Sequence, residues 1–180
     1  MKIDHDSIYG LLAEFPTPEA VRSAAERVHE AGYTKTDAYT PFPVHGLAEA
    51  VGEPRTRLPL IVLLGGLFGG GGGFFMQYFA NVIHYPLNIG GRPLNSWPSF
   101  VPITFECAIL AAVFSAVFGM LALNKLPMPY HPVFNVPEFE RASQDKFFLI
   151  IKANDPKFDE DEVRRFLQSC DAEGVYTVDP

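Results

Sequence analysis

The sequence predicts an α+β fold in which a cytoplasmic domain, split into two halves, carries an inserted two-helix transmembrane hairpin. Three observations lead there. Charged residues crowd both ends of the 180-residue chain and nearly vanish from its middle. The two ends repeat one strand–helix–strand pattern. The middle holds two apolar stretches, each long enough to cross a hydrocarbon core roughly 30 Å thick.

The first half of the split domain occupies residues 1–54. IYGLLAEF reads as a strand. Thr17 and Pro18 then give an N-cap followed by proline at the first helical position, and Val21, Ala24, Ala25 and Val28 form one apolar face before Gly32 stops the helix. DAYTPF reads as a second strand, and HGLAEAV, residues 45–51, as a short helix leading to the membrane.

Residues 58–84 form the first predicted span. No charged residue lies between Arg57 and Arg92. Within the span, LLGGLFGGGGGFFMQYF (63–79) is too glycine-rich to pass without comment. A phosphate-binding loop needs Lys and Ser or Thr straight after its last glycine, but Gly73 is followed by Phe74 and Phe75. A flexible linker keeps its glycines among solvated residues, whereas these lie among Leu, Phe and Met. A transmembrane helix with a glycine face fits both facts. Gly65, Gly66, Gly69, Gly70 and Gly73 include three pairs spaced four apart, the spacing that lets another helix approach closely in lipid. That helix belongs either to a partner subunit or to the chain's own second span, and the two readings are compatible. Gly69 to Gly73 would make a poor helix in water, so tight surroundings are expected.

An extracytoplasmic loop, 85–98, follows. Gly90 and Gly91 suit a turn, the prolines stiffen it, and Tyr85 and Trp97 suit a membrane interface. Arg92 reads as a ligand for lipid phosphate or a partner's carboxylate, or as an ordinary orientation-setting charge. The second span, 99–124, is interrupted only by Glu106, the one ionisable residue deep in either span. A carboxyl at that depth is a candidate functional group by default. Two roles are open to Glu106: handling protons, or hydrogen bonding to a neighbouring helix. Gln77 and Asn81 are its expected neighbours.

The second half of the domain, 125–180, begins with LPMPYHPVFNVP, a proline-stiffened return. FFLIIKA reads as a strand, Asp159 and Glu162 as a capping pair, and Val163, Phe166, Leu167 and Cys170 as an apolar helix face ending before Gly174. VYTV is the last strand. Two such units in series suggest a split ferredoxin-like βαββαβ sandwich, with the hairpin inserted between the second and third strands.

Composition excludes several function classes. The net charge of −7 argues against a nucleic-acid partner. The start, MKIDHD, is acidic where a signal peptide would be basic, so the N-terminus is expected to stay in the cytoplasm. Arg55, Arg57 and Lys125 flank the spans on one side against Arg92 alone on the other, which favours both termini inside. Cys107 and Cys170 cannot be expected to pair, and no cysteine motif suits zinc, covalent haem or an iron–sulfur cluster. None of the five histidines lies mid-span, so no redox centre is expected in this chain. His45 and His131 flank the hairpin, but no cysteine or carboxylate cluster completes a metal site around them. Asp155, Asp159, Glu160, Asp161 and Glu162 read as a solvated helix terminus rather than an active site or calcium loop.

Three runs, DAYTPFPVHGL (37–47), YPLNIGGRPLNSWPSFVPITFE (85–106) and LPMPYHPVFN (126–135), resemble the ActD subunit family of alternative complex III. The resemblance covers nearly the whole chain. It implies an accessory, non-catalytic membrane subunit of a respiratory or photosynthetic quinol:electron acceptor oxidoreductase in the bacterial inner membrane. It also implies that haem c and iron–sulfur clusters sit in partner subunits, that quinol is the substrate of the whole complex, and that this chain carries no cofactor. The partners would be the other membrane and peripheral subunits and the lipid bilayer. A reading from a different class is a free-standing membrane sensor whose ferredoxin-like domain binds a ligand or metal. A small transporter finds no support, since two spans with one carboxylate offer no evident pathway.

Overall fold

A computed structural model describes residues 8–54 and 56–180. The expectations placed on the MKIDHD start, His5 and Arg55 lie outside the described residues. The elements run β1 (Gly10–Phe15), α1 (Pro18–Glu30), β2 (Thr36–Tyr39), α2 (Leu47–Val51), α3 (Leu58–Tyr78), α4 (Trp97–Leu123), β3 (Phe147–Lys152), α5 (Glu160–Gln168) and β4 (Gly174–Val178). The chain divides into two compact units: residues up to 54 together with 129–180, and the intervening segment.

The first unit is built on a four-stranded sheet in the order β2-β3-β1-β4, every neighbouring pair antiparallel. The central strands read GLLAEF and FFLIIK, nearly unbroken apolar runs, because both faces of the sheet are buried. Strand alternation divides their side chains. Leu11, Ala13, Phe15, Phe147, Leu149 and Ile151 meet one layer, formed by the apolar faces of α1 and α5. Leu12, Phe148, Ile150 and Val178 meet Val133, Val136, Phe139 and Ala142 on the other side.

That second layer is the proline-rich return. The sequence reading treats it as a connection, yet it folds into two short 3₁₀ helices, Pro132–Asn135 and Pro137–Ser143, whose apolar side chains cap the sheet. Its prolines recur too closely for an amphipathic α-helix to show in the sequence, which conceals its role as a core layer.

Both long crossovers start as expected. Thr17 caps α1, its hydroxyl accepting from the Ala20 amide at 3.2 Å, and Asp159 caps α5, accepting from the Glu162 amide at 2.9 Å. Gly32, at φ 87°, takes the left-handed conformation that ends α1. The end of α5 differs from the expected pattern. The helix stops at Gln168, so Cys170 lies just beyond it, and the left-handed residue is Asp171 at φ 61°, while Gly174 opens β4.

Asp155 corrects another expectation. It is not part of the solvated helix terminus but is buried, 5% exposed, and accepts backbone hydrogen bonds from Thr34 (2.7 Å), Lys35 (2.8 Å) and Lys157 (2.8 Å), with the Thr34 hydroxyl at 3.2 Å. Burial alone would raise its pKa, but these donors overcome it and hold the carboxyl below the usual carboxylate range. Asp155 thereby clasps the turn before β2 to the turn after β3. A second clasp forms around the buried Glu14, which accepts from the Tyr176 hydroxyl at 2.8 Å and faces Arg141 at 3.7 Å and Lys146 at 3.8 Å.

In the second unit, α3 continues into a π-helical turn, Phe79–His84. The helix α4 starts at Trp97, two residues before the expected Ser99, because Pro98 sits comfortably in a first helical turn. Trp97 therefore opens the helix rather than ending the loop. Both helices, Leu58–His84 and Trp97–Leu123, are long and apolar enough to cross a membrane.

Candidate functional site

The hairpin gathers most of the residues singled out in the sequence. Its packing begins with glycine. A Cβ at Gly65 would collide with Ser115, one at Gly69 with Ala111 and the Cys107 carbonyl, and one at Gly73 would come within 2.8 Å of the Cys107 Cβ. A Cβ at Gly66 or Gly70 would reach Ala112 or Ala108 at ordinary to tight contact, 3.5 and 3.3 Å. The glycine face thus lies against the chain's own α4, whose facing side is itself made of small residues. Gly71 and Gly72, by contrast, face open space.

One turn further along, the interface becomes polar. The Gln77 side-chain amide donates to the Gly73 carbonyl (3.1 Å), the Phe100 carbonyl (3.1 Å) and the Thr104 hydroxyl (3.3 Å), and Asn81 donates to the Gln77 carbonyl at 2.8 Å. This network links α3 to α4 without Glu106, which corrects the expected pairing. Thr104 and Cys107 point inward, and Glu106, lying between them in sequence, is rotated onto the exposed side of α4. Among the described residues it has no hydrogen-bond or ion-pair partner.

The connecting loop turns at Gly90 (φ 60°) and Gly91 (φ 77°), with the Asn88 side chain accepting from the Gly91 amide at 3.1 Å. Arg92 and Trp97 are both exposed, Trp97 by 59%.

His45 and His131 do not come together. His45 lies beside α1 and α2 with Arg22 and His29, on one side of the sheet. His131 lies on the other, where its Nδ1 accepts from the Val133 amide at 3.4 Å and its Nε2 meets the Tyr9 hydroxyl at 3.3 Å. Burial first, and then Lys152, push its pKa below the usual imidazole value, with Asp37 opposing.

The family model described as "Alternative complex III, ActD subunit" matches residues 9–177 of the 180, spanning the sheet unit and the hairpin alike. The chain belongs to that family. Membership makes it a subunit of alternative complex III, part of an oxidoreductase assembly, with other subunits of the complex as its partners. Together with the two apolar helices, it makes the chain membrane-associated. No curated protein matches the chain.

Two features of this family member escaped the sequence reading. One is the Gln77–Thr104 link, which the i, i+4 spacing of Gly73, Gln77 and Asn81 hints at but does not pair across helices. The other is a groove of about 880 Å³ beside β2, lined by Tyr39, Thr40, Phe134, Phe139 and Glu140 among others. The Tyr39 hydroxyl is buried near it without a hydrogen-bond partner among the described residues. Burial and the nearby Asp37 carboxylate push that phenol well above its ordinary value. No sequence pattern announces the groove, because it depends on how the 3₁₀ layer meets the edge strand.

Proposed function

We propose that the chain is an accessory structural membrane subunit of alternative complex III, a quinol:electron acceptor oxidoreductase, and that it carries no redox cofactor of its own. The reading rests on one observation above the others: a hairpin that buries few of its apolar side chains within the chain, in a protein whose family is a subunit family. Such a surface needs lipid or other subunits around it. Haem c and iron–sulfur clusters then belong to the partners, and quinol is the substrate of the complex as a whole. Arg57 and Lys125 at one end of the hairpin against Arg92 at the other support a hairpin entering from the cytoplasmic side of the bacterial inner membrane, both termini inside. We read the sheet unit as the split ferredoxin-like βαββαβ domain; the order β2-β3-β1-β4 and the two helix-bearing crossovers support it.

The test is a mild-detergent pull-down of the tagged protein from its native membrane, with an optical spectrum and mass-spectrometric identification of what accompanies it. Stoichiometric multihaem and iron–sulfur subunits support the reading. A colourless protein recovered alone, folded and stable, refutes it. The groove beside Tyr39 favours a second reading, a free-standing sensor binding a small ligand in the sheet unit, and recovery of the lone folded protein would point there.

A further inference from the structure

We infer that the outward face of α4 centred on Glu106 is an inter-subunit docking surface, and that its occupant is a transmembrane helix of another subunit presenting an Arg or Lys at Glu106's depth. The inference rests on the subunit reading above. Glu106 lies about 13 Å along the helix axis from Trp97 at 1.5 Å per residue, well inside an α4 of 27 residues. A carboxyl there is removed from bulk water, where a polar group without a partner is costly.

Among the described residues Glu106 meets no such partner. The polar side chains at that level are engaged inside the hairpin: Gln77 donates to the Phe100 carbonyl and the Thr104 hydroxyl, and Asn81 to the Gln77 backbone carbonyl. The side chains that share Glu106's face at helical spacing, Ile103, Ile109, Leu110, Val113 and Val117, are apolar and exposed. From Ile103 onward the face is thus an aliphatic stripe with a single carboxyl group in it. Lipid tails would cover the stripe but leave the carboxyl unsatisfied. A second helix covers the stripe by side-chain packing, and a cation on that helix complements the carboxyl, placing a charge-assisted hydrogen bond out of water. Arg92 of this chain is not that cation, since it lies in the connecting loop, beyond the N-terminal end of α4.

The experiment uses the intact complex, purified through a tag on this chain. A photo-crosslinking amino acid in place of Leu110, and separately of Val113, is expected to give an adduct with one integral subunit, in a transmembrane peptide containing Arg or Lys. Adducts only with lipid, with a second copy of this chain, or with a helix lacking a basic residue overturn the inference. In parallel, Glu106→Gln preserves shape and removes the charge. It should reduce recovery of that subunit by at least about tenfold, since a buried cation is left uncompensated, while Glu106→Asp retains most of it. Undiminished recovery with Glu106→Gln overturns the cationic partner. If the wild-type chain itself recovers no other subunit, the subunit reading has failed; if it recovers the complex but position 110 meets only lipid, the docking inference alone has failed.

Discussion

Asp155 in the sheet unit and Glu106 in the hairpin are both carboxyl groups, and the fold treats them in opposite ways, burying the first and leaving the second exposed on its helix. Asp155 collects three backbone amides and a hydroxyl, all from the same unit. Glu106 collects nothing among the described residues. The contrast extends to the apolar side chains: the central strands of the sheet are sealed between two layers, whereas α3 and α4 bury small residues and Phe100 against each other and leave most of their large side chains exposed. The sheet unit completes its own interior. The hairpin completes only its central seam and depends on its surroundings for the rest.

The largest break in this comparison should come from Asp155→Ala. It removes the charged acceptor shared by the amides of Thr34, Lys35 and Lys157, and the cost is roughly 4 kcal/mol. Amide hydrogen exchange of the full chain in detergent, read by unit, should show β1 and β3 losing protection while α3 and α4 keep theirs. Equal loss in both units would mean that they do not unfold independently. Next comes Gly69→Leu, which drives a side chain into Ala111 and the Cys107 backbone and destabilises the seam by roughly 3 kcal/mol. Thermal unfolding in detergent, followed by circular dichroism, checks it against Gly72→Leu, which enters open space and should leave the isolated chain's midpoint nearly unchanged. If the two variants melt alike, the seam is not where the structure places it.

The same contrast explains what the sequence could tell. Every long-period feature was legible: Val21, Ala24, Ala25 and Val28 are the buried residues of α1, and the two uncharged stretches are the two long helices. Local chemistry such as Thr17 and Asp159 was legible too, because a cap depends on residues three apart. Asp155 was misread because its donors Thr34 and Lys35 lie some 120 residues away in sequence. Val133, Val136, Phe139 and Ala142 hid in a proline-rich segment whose short 3₁₀ helices have no sustained period to detect. Glu106 was found from its charge alone, but its direction depends on which side of α4 faces α3. Two glycine stripes, at Gly65/Gly69/Gly73 and at Gly66/Gly70, left that rotation open until the packing was known.

A smaller effect probes a helix end. Thr17→Ala removes the α1 cap and should cost the sheet unit about 1 kcal/mol. At the start of α3 the Arg57 side chain makes no cap bond and the Thr56 hydroxyl accepts from the Leu58 amide at 3.2 Å, a contact the substitution does not touch. Denaturant unfolding followed by strand and helix protection should therefore move for the sheet unit only, and a shift in α3 would contradict the separation of the units.

The smallest expected effect is a pH dependence confined to the sheet unit. His131 anchors the 3₁₀ layer with Nδ1 as acceptor from Val133, so its neutral form, with the proton on Nε2 facing Tyr9, is the one the fold uses. Its folded pKa is depressed below the usual 6.5, by burial first and by Lys152 second. The unfolded chain then binds the proton more readily than the folded one. The contribution of His131 to stability is therefore complete above pH 6.5 and is lost as pH falls through the lower, folded pKa. Protection of β1 and β3 should decline modestly as pH falls below 6.5. His131→Asn retains an oxygen that can accept from Val133 but cannot titrate, so it should flatten that slope while keeping the 3₁₀ layer in place. A slope unchanged by His131→Asn would assign the pH dependence to some other group and leave His131 a purely steric anchor.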